Sequence, residues 1–410
     1  MIQAGLSLLT FFSTLLMARF CGEETLGNFN LIYSWISIVG IFSLFGLDDF
    51  SLKKVPYLNE SEKKGFLSWG ILCILISTPF SILLFLSIVL IFKISGVYDQ
   101  LYLYYWALLV LPIQSILIFT QNFLKANNKI FAGQIVEKIF LPAFFIVLLI
   151  ISFLTLDLKI NIYQSIWLRN ISFLLALILS IVLAFQSLDK NFKYRFRNFF
   201  ESSILFFLVS TIIVTVQSKI DIILLGVFKV SLSDIAYYNV AARISDVLII
   251  PYLAICSFAV PKFSQFYKSN EIHHLKNYYI KVNLFSFWSV CLACILIVFF
   301  GKIILSFFGD NFTQSYSILL WLSFAKLLMI FMGPATYLLN MTNAEKQVTF
   351  LLALTLIINF ICQYLFIPVF GSLGAAYALV ISFTIYALIL SILIFIKFKF
   401  IPHPFQFSKL

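Results

Sequence analysis

Long apolar runs alternate with short polar breaks from one end of the chain to the other. Read as helices, the runs give twelve spans, at 2–20, 28–48, 66–92, 101–123, 132–154, 163–185, 202–226, 235–258, 282–306, 313–339, 348–369 and 373–396. Most of them reach the roughly 20 residues that an α-helix needs to cross a hydrocarbon core of about 30 Å. The pattern predicts an all-α polytopic membrane protein. The opening segment MIQAGLSLLTFFSTLLMARF lacks the basic start of a cleaved signal and reads as the first span.

Composition sharpens this picture. Of 410 residues, 62% are apolar and 11% charged, and the mean hydropathy is +1.04. A soluble core cannot hide that much apolar surface, so lipid must cover it. An ordinary cytosolic enzyme and a secreted one are excluded. The chain has no G-x-x-x-x-G-K-[ST] phosphate loop, which argues against an ATP-driven pump.

The net charge of +11 would suggest nucleic acid in a soluble protein. Here it follows the positive-inside rule, and no nucleic-acid partner is expected. Loops after even-numbered spans, with the C-terminus, carry 18 Lys and Arg; loops after odd spans carry 5. The first group includes Lys53, Lys54, Lys63 and Lys64, then Lys190, Lys193, Arg195 and Arg197, and finally Lys409. The second is Arg19, Lys93, Lys159, Lys229 and Lys302. The asymmetry places both termini in the cytoplasm. The basic loop at 261–281, with Phe263, Phe266 and Tyr267, is expected to lie along the cytoplasmic surface as an amphipathic segment, and Lys53 to Lys64 likewise.

Half a chain length apart, two pairs of segments look alike. FLKANNKIFAGQIV (123–136) pairs with LNMTNAEKQVTFLL (339–352), and GNFNLIYSW (27–35) with AYYNVAARI (236–244). Two six-helix lobes of the same orientation, 1–190 and 191–410, would be parallel repeats about an axis along the membrane normal. Such pairs enclose a cavity that opens to either side by rocking.

Several charges stay at membrane depth: Lys138, Arg169, Lys219, Arg243 and Lys326, with Glu137, Asp221 and Asp246. Each costs a few kcal/mol facing lipid, so these side chains should face a watery interior. Lys138 and Arg169 lie near span ends and can snorkel. Arg243 and Asp246, at i and i+3, share a helix face and can pair. Lys219 and Asp221, at i and i+2, cannot. Pro251 in span 8 and Gly333-Pro334 in span 10 should break their helices and are candidate hinges. Asn340 and Asn359 can hydrogen-bond between helices. Cys291 and Cys294 have C-x-x-C spacing but sit inside an apolar helix without other ligands, so no metal is assigned. No cofactor or catalytic group is called for.

The second half carries a family resemblance. KIDIILLGVFKVSLSDIAYYNVAARISDVLIIPYLAICSFAVPKFSQFY (219–267) resembles spans 7 and 8 of polysaccharide exporters of the MOP superfamily. FFGDNFTQSYSILLWLSFAKLLMIFMGPATYLLNMTN, followed by the Asn-containing helix and IPVFGSLGAA, resembles their spans 10 to 12. LMARFCGEETLGNFNLIYSW and FGLDDFSLKKVP resemble the first two spans. The chain is thus similar to Wzx-type O-antigen flippases. The resemblance implies a V-shaped, MATE-like pair of lobes with alternating access. It also implies translocation of an undecaprenyl-pyrophosphate-linked oligosaccharide across the bacterial inner membrane, beside a polysaccharide polymerase and a chain-length regulator. MurJ-type lipid II flippases carry two further helices after the twelfth, and the chain ends at HPFQFSKL, which favours the O-unit group.

A pyrophosphate needs cations to cross the bilayer, so Arg19, Lys219, Arg243 and Lys326 are the candidate substrate-binding residues. Asp221 and Asp246 are candidates for a coupling or charge network, and Pro251, Gly333 and Pro334 for a hinge. Two alternatives stand beside this. A MATE-like small-molecule or drug exporter would want an acidic or aromatic cavity. A membrane polymerase or ligase would want a large outer loop with Arg and His, whereas His273, His274 and His403 all fall on the cytoplasmic side.

Overall fold

The computed structural model describes residues 2–92, 97, 100–156, 159–188 and 199–400. Among these every regular element is a helix. In chain order they are α1 (Ile2–Cys21), α2 (Glu23–Leu44), α3 (Leu47–Lys54), α4 (Glu60–Phe92), α5 (Leu101–Leu108), α6 (Val110–Ala126) and α7 (Ile130–Ile135). A π-helical turn, Val136–Phe140, joins α7 to α8 (Leu141–Leu156). Then come α9 (Ile162–Gln186), α10 (Ser203–Val227), α11 (Leu232–Val247), α12 (Ile250–Lys268), α13 (Ile272–Ser306), α14 (Tyr316–Ile330), α15 (Ala335–Asn340), α16 (Glu345–Phe370) and α17 (Ser372–Phe398).

The chain is a multi-pass membrane protein. Ten helices or joined helices among the described residues are long and apolar enough to cross a bilayer, and the bent pair α11–α12 makes an eleventh. α1 stands where the first span was expected. Lipid-facing stripes follow helix periodicity. Phe285, Leu292 and Phe299 on α13, and Phe350, Ile357 and Tyr364 on α16, recur every seven residues and are all exposed.

One expectation about loops is corrected. The segment 261–281 is not a surface loop. α12 runs on to Lys268 and α13 starts at Ile272, leaving a tight turn. Asn270 closes it at φ 61°, with Glu271 N–H donating to the Phe266 carbonyl at 2.9 Å. Phe263 is buried and packs 5.9 Å from Tyr279. Its helix-mates supply a core, so it does not lie on the membrane surface. Just before Lys53 to Lys64, Leu47 and Phe50 of α3 are buried and α3 packs against α6 and α10; within that segment Val55 is buried and Tyr57 exposed. Lys93, Lys190, Lys193, Arg195, Arg197, His403 and Lys409 lie outside the described residues.

The chain forms two compact units. One is Gly5–Ala236; the other is built on Tyr237 onward. The lobes expected at 1–190 and 191–410 are defined by repetition, a different criterion from contact; here α10 packs along α2 and against α3. The first unit centres on Phe66, whose ring meets those of Phe50, Trp69, Phe119 and Phe199 at 5.3–6.0 Å. The second centres on Phe263, Leu275, Tyr279, Leu338 and Leu339, all fully buried. The turns carrying the sequence repeat close alike. Asn128 (φ 58°) and Asn343 (φ 59°) each take the left-handed conformation. The next residue's N–H then donates five residues back, Lys129 to Leu124 at 2.9 Å and Ala344 to Leu339 at 3.0 Å.

Candidate functional site

α11 begins with a side-chain cap. The Asp234 N–H donates to Ser231 Oγ at 3.1 Å, and the Ser231 hydroxyl donates to Asp234 Oδ2 at 2.6 Å. Arg243 and Asp246 lie in its later turns, both exposed. Asp246 pairs with Lys326 of α14, Nζ to Oδ1 2.8 Å. The two side chains differ in access: Lys326 is 19% exposed and Asp246 52%.

The expected Arg243–Asp246 pair is therefore not formed. The reason is desolvation. A half-buried ammonium loses more by going unpaired than an exposed guanidinium does, so the carboxylate goes to Lys326. Arg243 remains exposed, with no ion pair to Asp246 among the described residues.

The other candidates are placed as follows. Arg19 is exposed in the last turn of α1. Lys219 and Asp221 are half-buried on α10, in the first unit, whereas Arg243, Asp246 and Lys326 lie in the second. Of the candidate binding and coupling charges, the structure brings Lys326 and Asp246 together.

Both expected helix breaks are present. α11 and α12 are bent by 41° at Leu248–Ile249. Pro251 stands in the first turn of α12, where its missing N–H costs nothing. In span 10, α14 stops at Ile330 and α15 resumes at Ala335. Gly333 sits at φ +57°, a conformation that favours glycine. A Cβ there would fall 2.4 Å from Asn283 Oδ1. The carbonyls freed by the break are taken up by tyrosines. Tyr279 donates to the Met332 carbonyl, Tyr252 of α12 to that of Gly333 at 3.4 Å, and Thr336 shares a hydroxyl bond with Tyr386. This satisfies backbone groups that hydrocarbon could not. The tyrosines were not singled out in the sequence. Their one signal was a set of phenols within apolar helices near the two prolines.

Elsewhere, Arg169 does not need to snorkel. Its guanidinium lies 5.1 Å from the Phe145 ring centre and 4.7 Å from that of Phe173. Glu137, on the π-helical turn, receives both Lys125 (2.8 Å) and Lys138 (2.7 Å). π-helical turns inside α-helices often mark functional positions, and no sequence pattern announced this one. Asn359 accepts a hydrogen bond from Ser382 of α17 at 3.4 Å, an interhelical bond as expected; Asn340 is exposed. On α3, beyond the end of α2, burial pushes the Asp48 carboxyl up to about 6, with neighbouring Asp49 adding to the effect.

Residues 1–267 match the family described as polysaccharide biosynthesis protein. The chain belongs to that family. Residues 207–369 of this family member also match the MatE family. Among named relatives, it is 25% identical over 198 residues to the probable low-salt glycan biosynthesis flippase Agl15 of Haloferax volcanii, a match that covers 45% of this chain and 40% of that protein. The chain therefore spans well under half of that relative's length. Two solved structures show the fold. A multidrug resistance MATE family transporter of the MOP superfamily, in an inward-facing conformation, superposes with a TM-score of 0.77 at 13% identity, covering 96% of this chain and 94% of that one. The lipid II flippase MurJ, in an inward closed conformation, superposes with a TM-score of 0.71 at 18% identity, covering 98% and 87%. This polysaccharide biosynthesis family member thus has the helical fold of the MATE and MurJ transporters.

Proposed function

We propose that the chain is a flippase. It moves an undecaprenyl-pyrophosphate-linked oligosaccharide, an O-antigen or other surface-polysaccharide repeat unit, from the inner to the outer leaflet of the bacterial cytoplasmic membrane. The observation that carries the reading is the family match over residues 1–267 joined to cations set deep in apolar helices. The named glycan flippase relative supports it.

The polyprenyl tail stays in lipid while the charged head must cross. Arg19, Lys219, Arg243 and Lys326 offer charge-assisted hydrogen bonds to the pyrophosphate. Asp221 and Asp246 balance or couple that charge. The breaks at Pro251 and Gly333-Pro334 serve as hinges for alternating access between the two lobes, with both termini in the cytoplasm. The 41° bend at α11–α12 supports that part. Binding and release suffice, with no covalent step. A polymerase and a chain-length regulator receive the product.

A second reading, a MATE-like exporter of small molecules, is favoured by the match at residues 207–369. Deleting the gene separates the two. A flippase deletion strands lipid-linked oligosaccharide in the inner leaflet and abolishes the surface polymer, and the cloned gene restores it. If polymer persists and drug tolerance alone falls, the exporter reading replaces this one.

A further inference from the structure

We propose that Asp246 is a displaceable counter-anion. It occupies Lys326 while the site is empty, and the substrate's pyrophosphate binds by taking its place. The inference rests on the lipid-pyrophosphate reading above and names the residue that tunes it.

Three observations support an exchange rather than a permanent lock. First, access is lopsided. The carboxylate is 52% exposed and the ammonium 19%, so an anion approaching from the open side of the pair meets Asp246 first and needs only that side chain to swing away. Second, among the described residues Lys326 is the sole ion-pair partner of Asp246. Glu137, by contrast, is gripped by Lys125 and Lys138 together. A single, partly exposed pair is weak. A pyrophosphate brings more charge and more acceptor oxygens to the same ammonium. Third, Arg243 lies one turn earlier on the same face of α11 and is exposed. Arg243 does not reach the carboxylate of Asp246, but a larger anion seated at Lys326 gains it as a second cation by a side-chain movement, without rearrangement of the helix.

The position also gives the exchange a mechanical consequence. Asp246 precedes the bend at Leu248–Ile249 by about half a turn, and Lys326 precedes the break after Ile330 by about one turn. Losing the pair removes the salt bridge between α11 and α14 at the level of both breaks. Tyr252, past the bend, still meets Gly333 inside the span 10 break. The empty protein also avoids a bare half-buried ammonium, which would destabilise it.

The test uses the full chain in lipid nanodiscs, with inorganic pyrophosphate as the probe and inorganic sulfate as a control anion. Dissociation constants come from titration calorimetry, and melting temperatures are read with and without pyrophosphate. Asp246→Asn should tighten pyrophosphate binding about fivefold or more, because the internal competitor is gone. It should also enlarge the melting-temperature rise that pyrophosphate gives. Asp246→Glu keeps the competing charge and should not tighten binding. Lys326→Ala should lose it, with or without Asp246→Asn. A carboxylate that only braces the fold would give unchanged or weaker binding in Asp246→Asn while Lys326→Ala still loses it; that result overturns the exchange and leaves the cationic site standing. Pyrophosphate binding that survives Lys326→Ala overturns both. Asp246→Ser supplies a second neutral variant should the asparagine protein fail to fold.

Discussion

The ammonium of Lys326 on α14 and the carboxylate of Asp246 in the last turn of α11 meet at 2.8 Å, within one helical turn of a break in each of their helices. Tyr252, just past the bend between α11 and α12, donates to the carbonyl of Gly333 inside the span 10 break at 3.4 Å. Two interrupted spans are thus tied twice near their interruptions, once by charge before them and once by a phenol on a carbonyl that the span 10 break frees.

Transport should depend on the charge at position 326. Lys326→Ala should impair export of lipid-linked oligosaccharide while protein remains in the membrane. Lys326→Arg should be better tolerated, since charge is kept although shape is not. Surface polymer is measured at matched protein level. Full complementation by the Lys219, Arg243, Lys326 triple alanine variant would remove the cationic mechanism.

The span 10 break should be intolerant of a side chain at Gly333. Gly333→Ala combines φ +57° with a Cβ 2.4 Å from Asn283 Oδ1, and should cost about 2 kcal/mol or more. Asn283→Ala should recover part of this in a double-mutant cycle, because the clash term is shared. Unfolding in detergent gives the values; an additive cycle would place the cost in the backbone alone.

Removing a phenol from the break should leave a carbonyl unpaired. Tyr279→Phe should destabilise by about 1–3 kcal/mol, and Tyr252→Phe by less, since its bond is longer. Equal, negligible losses in melting temperature would mean that water takes over both carbonyls.

Asp48 should make stability depend on pH. Its folded value, pushed up to about 6 by burial and then by Asp49, lies above that of an unfolded aspartate near 4. Between these values the folded chain holds the proton and the unfolded chain releases it, so stability falls as pH rises, and the loss is complete above about 6. Asp48→Asn should therefore be more stable than the parent at pH 7–8, by about 1–3 kcal/mol, with the gain vanishing near pH 4. A gain that is the same at both pH values would refute the titration.

Sidedness is checked by reporter fusions. Fusions after 56, 127, 192, 270 and 405 should report the cytoplasm, and those after 96, 157, 230 and 310 the outer side. Two consecutive sites reporting one side would break the twelve-span topology.

Some of this was legible along the chain, because some constraints are local or solvent-wide. Hydrocarbon thickness sets the length of an apolar run, so helix positions followed from spacing, and α4, α9, α13, α16 and α17 stand where apolar runs predicted spans. Proline's missing N–H acts on its own helix, so Pro251 and Gly333-Pro334 could be read as candidate breaks, although Pro79, Pro261 and Pro368 sit inside continuous helices. The ordered segments at 219–267 and 307–382 also carried the family. Pairing is different, because it depends on which helices become neighbours. The i, i+3 spacing brought Arg243 within reach of Asp246, yet only the packing of α14 against the rest of its unit decided that the more buried Lys326 would take the carboxylate. The same holds for Tyr252 and Tyr279 on the open carbonyls, for the π-helical turn that hands Glu137 to two lysines, and for Phe263. A basic loop in the sequence became two helices joined by a tight turn once a core existed to bury that ring. Helix existence follows from the solvent the chain is made for; the partner of each buried polar group follows from burial, which only the folded arrangement defines.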